Sequence, residues 1–295
     1  MGEDGVKKKR GGGRPRGSRR TKGSGAGPRL DKYDCYELCV QNPARMAPFL
    51  RAVHGGDPII LREDFCGTGG VCRAWASMTP LAAGRRRRAL RAIGVDRDPE
   101  PLARSRGVAG VRVVRSDVRD CDAAADVLTA TNFSIGYWHT RRDLVRYLKL
   151  CRARVRPGGV FVCDTYGGAT AFTTGTLTRD VWLDDGVRVR YTWEQREADP
   201  LTGRVLDVLH FRADRAGDVI FEQSDAFTYD WRLWSVPELR EALRDAGFAE
   251  VLVYAELADA VDSEGRVYVR PVAGPEDLDE SFVVLIAARA PDAGR

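Results

Sequence analysis

The chain has 295 residues, 47 Lys or Arg against 42 Asp or Glu, 43% hydrophobic residues, seven cysteines and three histidines. That length can bury one large core, or one core with an appendage. No apolar run reaches membrane-spanning length, no signal-peptide core is seen, and no CxxC pair or zinc spacing occurs, so a soluble cytoplasmic protein with reduced, buried thiols is expected.

Residues 1–30 come first and differ from the rest. They hold ten Lys or Arg against Glu3 and Asp4, which leaves 37 basic and 40 acidic groups in the other 265 residues. The body is therefore close to neutral, which argues against a domain surface built to bind nucleic acid. The tail is rich in Gly and Arg, low in hydrophobics, and is expected to be disordered. Nucleic acid would be engaged through this tail only; a solvated extension is the plainer alternative.

From Tyr33 to about His54 the pattern is helical, divided by Pro43 into two short helices. Strand and helix patterns then alternate. PIILRED (58–64) reads as a strand, GGVCRAWASM (69–78) as a helix with Val71, Trp75 and Met78 inward, and ALRAIGVDRD (89–98) as a strand after the solvated loop GRRRR. PEPLARSR (99–106) opens a helix with proline and an acid in its first turn. GVRVVRSD (110–117) and ADVLTATNFS (125–134) read as strands. RRDLVRYLKLCRARV (141–155) is an amphipathic helix stopped by Pro157-Gly158-Gly159, and VFVCDTY (160–166) is the next strand.

Such alternation predicts an α/β fold: a Rossmann-like, seven-stranded, mostly parallel sheet with helices on both faces. From Val181 to Tyr229 the period changes to two, which predicts an antiparallel meander of three or four strands. SVPELREALRDAGF follows as a helix with a Ser N-cap and a closing Gly247. AEVLVYAEL and SFVVLIAARA supply the last strands, with a polar loop at 258–280 between them. The expected division is a tail (1–30), a core in two parts (31–176 and 231–295) and an antiparallel insert (177–230).

The stretch EDFCGTGG (63–70) lies directly behind the strand PIIL. A glycine-rich turn between strand and helix in a parallel sheet marks a ligand site at the strand ends. A phosphate loop would need Gly-Lys-Ser/Thr, which is absent. A dinucleotide turn starting at Gly67 and Gly69 would need a third glycine where Cys72 stands. The remaining ligand class is S-adenosylmethionine, for which one acid ends the first strand and a second holds the ribose.

The chain resembles a class I S-adenosylmethionine-dependent methyltransferase from about Tyr33 to its C-terminus. E-D-F-C-G-T-G is similar to the acidic-x-G-x-G-x-G turn of that family, with Glu63 at the acidic position and Gly67 and Gly69 at the second and third glycines; Asp64 is the alternative acid if the turn is one residue shorter. GVD, ending at Asp96, resembles the ribose-binding segment, and SDV, with Asp117 and Val118, the adenine-binding one. Asn132, Phe133 and Ser134 match the end of strand four, beside the transferable methyl in the family. RPGG and LWSVPELREALRDAGF resemble its later hallmarks. The resemblance implies S-adenosyl-L-methionine as cofactor, contacted by Glu63, Phe65, Cys66, Gly67, Thr68, Gly69, Asp96, Asp117, Val118, Asn132 and Phe133. Arg62, Tyr33 and Tyr36 would close over its amino-acid end, although both tyrosines could equally pack a helix.

Phe65 departs from the family by standing at the first glycine, where the backbone is expected not to take a positive φ. Its ring either packs on the ligand or faces the core. Methyl transfer from a sulfonium demands alignment more than acid–base chemistry. His139 is the candidate base, or else a surface residue at a helix start. The meander resembles the small sheet that roofs the acceptor pocket of small-molecule N- and O-methyltransferases and often helps subunits pair. It offers Tyr191, Trp193, Phe211, Phe227, Tyr229 and Trp231 either as pocket lining or as ordinary strand packing. A small-molecule acceptor and a possible homodimer are thus expected. An RNA or protein methyltransferase guided by the tail, and a catalytically silent cofactor-binding scaffold, are the competing readings.

Overall fold

A computed structural model describes residues 30–79, 88–263 and 265–293. The basic tail and most of the GRRRR loop lie outside the described residues. Two helices open the described chain: α1 (Lys32–Cys39), closed at its start by a reciprocal Asp31–Asp34 capping box, and α2 (Pro43–His54), with Pro43 in its first turn. The alternating part follows as β1 (Ile60–Asp64), α3 (Gly70–Ser77), β2 (Arg91–Asp96), α4 (Pro99–Leu102), β3 (Val111–Arg115), β4 (Ala125–Ala130), α5 (Arg141–Arg154) and β5 (Val155–Gly168). The meander is β6 (Gly175–Trp182), β7 (Val187–Asp199), β8 (Arg204–Arg215) and β9 (Asp218–Arg232). The chain ends with α6 (Val236–Asp245), β10 (Glu250–Tyr254), the short ribbon strands β11 (Ala260–Val261) and β12 (Val267–Tyr268), and β13 (Ser281–Arg289).

The main sheet has seven strands in the order β10-β13-β5-β4-β1-β2-β3. Strands β1 to β5 pair in parallel, and β13 runs antiparallel between β5 and β10. Alternate residues of the central strands feed two cores. Leu61, Val127 and Val162 pack with Phe49, Leu50 and Trp75 of α2 and α3 on one face; Leu128, Phe161 and Ile286 pack with Leu144, Leu148 and Leu243 of α5 and α6 on the other. The fold is the doubly covered, mostly parallel sheet with an antiparallel insert that the alternation predicts. Strand order reverses between β1 and β4, and their carboxyl ends face the crevice where open α/β sheets bind ligands.

Several boundaries differ from the sequence expectation for physical reasons. β4 stops at Ala130 rather than 134, because Asn132 and Phe133 take left-handed backbone (φ 57° and 60°) and lead into a 3-10 turn, Ser134–Tyr137. The Pro157-Gly158-Gly159 segment does not end the helix: α5 already stops at Arg154, and the segment lies inside β5, where the register against β4 shifts. The expected polar loop at 258–280 contains the β11–β12 ribbon.

The insert is a separate four-stranded antiparallel sheet in the order β6-β7-β8-β9, from Gly175 to Arg232. Its own core joins Val187, Val189, Leu209 and Phe211 to Cys35 and Cys39 of α1. The first helix therefore belongs to the insert's packing, and it carries Tyr33 and Tyr36 to the junction of the two sheets.

Candidate functional site

A cavity of about 490 Å³ opens at the carboxyl ends of β1 to β4 and is roofed by α1 and β9. Its floor is the turn after β1. Cys66 N–H donates to Val95 O (3.1 Å), Gly69 N–H to Cys66 O (2.8 Å), and Gly67 N–H to the Asp96 carboxylate (2.8 Å). The second Asp96 oxygen accepts from Asp98 N–H at 2.9 Å, so the acid at the end of β2 is fixed by two backbone donors, and Asp98 is the N-cap of α4. Gly69 must be glycine on two counts. Its φ is +73°, and a Cβ there would stand 2.6 Å from Ser105 Oγ.

Phe65 corrects the expectation drawn for it. It takes a positive φ of 56° without being glycine, and its half-buried ring packs against Tyr137, Trp138 and Tyr147 at centroid distances of 5.7, 6.3 and 6.0 Å. Ring packing offsets the cost of the left-handed backbone, a strain that persists only where the surroundings over-determine it.

The two neighbouring acids of β1 point to opposite faces. Glu63 is 2% exposed and accepts from Cys72 N–H (3.1 Å), capping α3 where Gly69 has no side chain to do so. Burial outweighs that hydrogen bond and pushes its carboxyl up to about 7. On the other face, Arg62 is fully buried. Its guanidinium binds Asp64 (2.7 Å) and the carbonyls of Cys121 (2.6 Å), Ala123 (3.0 Å) and Val118 (3.0 Å), while Tyr147 donates to the second Asp64 oxygen. Arg62 thus does not reach the cavity. It fixes from behind the segment that carries Asp117 and Val118. Asp117 lines the cavity, and the Arg119 guanidinium beside it lowers its carboxyl to about 2.

At the end of β4, Asp164 of β5 accepts from both Asn132 and Phe133 N–H at 2.8 Å, which holds two successive left-handed residues in place. Burial against those two bonds raises the Asp164 carboxyl to about 7. Asp164 was missed in the sequence; the signal was a charged residue in the otherwise apolar run VFVCDTY.

Of the residues predicted for the site, Tyr33, Tyr36, Phe65, Cys66, Gly67, Thr68, Asp96, Asp117, Val118, Asn132 and Ser134 line the cavity. Arg62, Glu63, Asp64, Gly69, Phe133 and His139 lie outside its walls. His139 Nε2 lies 2.9 Å from Asp230 O. Among the insert aromatics, Phe227, Tyr229 and Trp231 line the cavity, while Tyr191 and Phe211 stack within the insert and Trp193 packs on Tyr166. Gln41, Arg97, Tyr137 and Trp138 are lining residues that the motifs did not indicate. Four of the lining residues present buried polar atoms with no hydrogen-bond partner: Gln41 Oε1, Thr68 Oγ1, Trp138 Nε1 and Trp231 Nε1. Buried polar atoms are rarely left so, and a bound ligand would satisfy them. All seven cysteines are buried and unpaired, and burial pushes the cavity-lining Cys66 thiol up. Among the described residues no helix is long and apolar enough to cross a membrane, and no cluster of metal-ligating side chains occurs.

No family model and no curated protein matches the sequence. Solved structures do match. DesVI of Streptomyces venezuelae superposes with a TM-score of 0.63 at 17% identity, over 89% of this chain and 99% of that one. The sugar N-methyltransferase KedS8 of a Streptoalloteichus species gives 0.61 at 20% identity, over 95% and 100%. The amino pentose methyltransferase CalS10 of Micromonospora echinaspora, solved with S-adenosylmethionine bound, gives 0.61 at 18% identity, over 88% and 98%. The chain therefore has the fold of the class I S-adenosylmethionine-dependent methyltransferases across nearly the whole length of these neighbours.

Proposed function

We propose that the protein transfers a methyl group from S-adenosyl-L-methionine to a small-molecule acceptor. The observation that carries this reading is the acid pair Asp96 and Asp117 at the ends of β2 and β3, in one cavity with the glycine turn of residues 65–69. Asp96 is held by two N–H donors and offers its carboxylate to ribose hydroxyls. Asp117 stays ionised and offers an acceptor to the adenine amino group, with Val118 beneath the base. Gln41 and Thr68 supply unpaired oxygens to the amino-acid end. The cofactor supplies an activated methyl on a sulfonium. The protein's own contribution is alignment and exclusion of water, in a crevice closed by aromatic rings.

The named activities of KedS8 and CalS10 accord with a small acceptor. The acceptor-side wall, made of rings from α1 and β9, suits a molecule that fits inside the cavity rather than a polymer lying across it. The test is calorimetric titration with S-adenosylhomocysteine. Wild type should bind, and Asp96→Ala should bind at least about 100-fold more weakly, since charge-assisted hydrogen bonds contribute roughly 1.5–3 kcal/mol each. Equal affinities would remove the assignment. Methyl-labelled cofactor incubated with fractionated cell extract should place label in the low-molecular-weight fraction; label in RNA or protein would overturn the acceptor class.

A further inference from the structure

One buried carboxyl has no part in the cavity or in the glycine turn. Asp207 of β8 is 0% exposed, and strand pairing places it between Gln195 of β7 and Tyr229 of β9. It thus shares the face of the insert that carries Phe227, Tyr229 and Trp231 to the cavity. Gln195 is equally buried, and its side-chain nitrogen donates to the carbonyls of Ala171 and Thr173, both at 3.0 Å, in the loop after β5. Carbonyls only accept, so the amide oxygen of Gln195 points the other way, where the Tyr166 hydroxyl lies at 3.0 Å. That hydroxyl also lies 3.2 Å from Asp207 Oδ2, and Asp207 Oδ1 has no hydrogen-bond partner.

The hydrogens decide the charge. Tyr166 has one hydroxyl hydrogen and faces two oxygens. An ionised Asp207 would take that hydrogen, which strands the buried Gln195 oxygen and leaves a buried charge with one oxygen bare; both are costly. A protonated Asp207 donates to the Tyr166 oxygen, Tyr166 donates to Gln195, and the chain of bonds closes. The groups that face Asp207 are Tyr166 of β5, Gln195 and Trp193 of β7, with Tyr191 further along, and Tyr229 of β9. Burial pushes the three tyrosines up, so none of these groups is charged at neutral pH, and no cation among the described residues acts on the carboxyl. Burial accordingly raises Asp207 to about 7, although the Tyr166 hydroxyl and the Trp193 indole act to lower it.

We propose that Asp207 works as a neutral acid donating to Tyr166, and that this bridge sets the end of β4 against the insert. Tyr166 stands two residues after Asp164 on the same side of β5. Asp164 holds the backbone of Asn132 and Phe133, while the Tyr166 ring meets the Phe133 ring edge-on at 5.1 Å and Trp231 meets it at 6.0 Å. Asp207 lies outside the cavity walls and is a positioning residue: it acts through Tyr166 and Phe133 on Asn132 and Trp231, which line the cavity. Release of its proton to solvent turns the Tyr166 hydroxyl from Gln195 to Asp207 and loosens the loop of residues 169–174 that Gln195 ties down. The insert is therefore set over β4 at and below neutral pH and slackens above it. The consequence for turnover rests on the methyltransferase reading; the protonation of Asp207 and the bridge do not.

The experiment compares the full chain with its isosteric variant Asp207→Asn, which donates to Tyr166 at every pH. The infrared difference spectrum, wild type minus variant, should show at pH 6 the carbonyl stretch of a protonated carboxyl, fading as pH rises through about 7. Subtraction removes Glu63 and Asp164, whose carboxyls are raised to the same range. No such band at pH 6 would mean an ionised Asp207 and overturn the inference. Hydrogen exchange at residues 132–133 and 169–174 should match between the two proteins at pH 6 and run at least about tenfold faster in wild type at pH 9, since the bridge is then mostly open. Matching exchange at both pH values would overturn the bridge even with the band present. Label incorporation from saturating methyl-labelled S-adenosylmethionine should likewise fall at least about tenfold from pH 6 to pH 9 in wild type, and less than about threefold in Asp207→Asn. Parallel profiles would overturn the positioning role. If neither protein incorporates label or binds S-adenosylhomocysteine, the methyltransferase reading falls by itself, and the infrared and exchange results still decide for or against the bridge.

Discussion

Two walls face each other across the cavity, and they are held in place by different physics. The sheet-side wall is pinned by carboxylates that accept backbone N–H groups: Asp96 from Gly67, Asp164 from Asn132 and Phe133, and Glu63 from Cys72 behind the turn. The insert-side wall is positioned by ring packing along β9 and against α1. Directional bonds leave the first wall little freedom, because each anchor removed strands a buried polar group. Ring contacts are individually weaker and less directional, so the second wall tolerates change and can be reshaped for another acceptor without loss of the fold.

The largest effect expected from this contrast lies behind the sheet-side wall, at Arg62. Arg62→Met strands a buried Asp64 and frees three carbonyls of the segment that presents Asp117 and Val118. A cost of about 3–5 kcal/mol is expected in urea denaturation, the range for breaking a buried pair from one side. Adding Asp64→Leu should recover part of it, since an apolar pair strands no charge. A single-variant cost below about 1 kcal/mol would mean that the pair does not organise this wall.

The same contrast separates what was legible in the sequence from what was not. Glycine turn, GVD and SDV each sit at a strand end in the right order, and strand-end chemistry is local, so Asp96, Asp117 and Gly67 could be placed in one crevice from sequence alone. Arg62 could not, because its role depends on where the 118–123 loop returns, 56 to 61 residues later in the chain. Phe65 was misjudged because propensity for positive φ is a backbone rule, and here tertiary ring packing overrides it. The insert was legible as a meander by its period of two. Which of its aromatics face the cavity was not legible, because the register and the packing of α1 against β7 and β8 decide it.

At the insert-side wall the sharpest probe is Gly136, in the 3-10 turn after β4. A Cβ there would meet Trp231 Cβ and Cγ at 2.8 Å, and neither atom can swing away. Gly136→Ala should cost about 1–3 kcal/mol as overpacking. It should also leave S-adenosylhomocysteine affinity within about twofold, because the clash falls on Trp231 of the insert-side wall. If that affinity fell tenfold or more, the two walls would not be independent.

A smaller effect concerns protonation of the cap behind the turn. Glu63 is raised from its ordinary 4.5 to about 7 by burial, so the folded chain holds a proton that the unfolded chain has released. The stabilisation from that proton is complete below pH 4.5 and is lost as pH rises through about 7. Glu63→Gln has no proton to lose. The unfolding free energy of wild type relative to this variant should therefore fall between pH 5 and pH 8, by an amount on the order of 1 kcal/mol. A difference that stays constant over that range would place Glu63 in a wetter site than its 2% exposure indicates.

The smallest effect belongs to His139, the one residue for which the sequence suggested base catalysis. It stands outside the cavity wall, its Nε2 against Asp230 O and its own carbonyl accepting from Arg232. The ring is already committed to the end of β9. His139→Ala should leave the rate of label incorporation within about threefold and the acidic limb of its pH profile unshifted. A loss of 100-fold together with that limb would instead require the imidazole to turn into the cavity during turnover. The acceptor would then be a group that loses its proton as it is methylated.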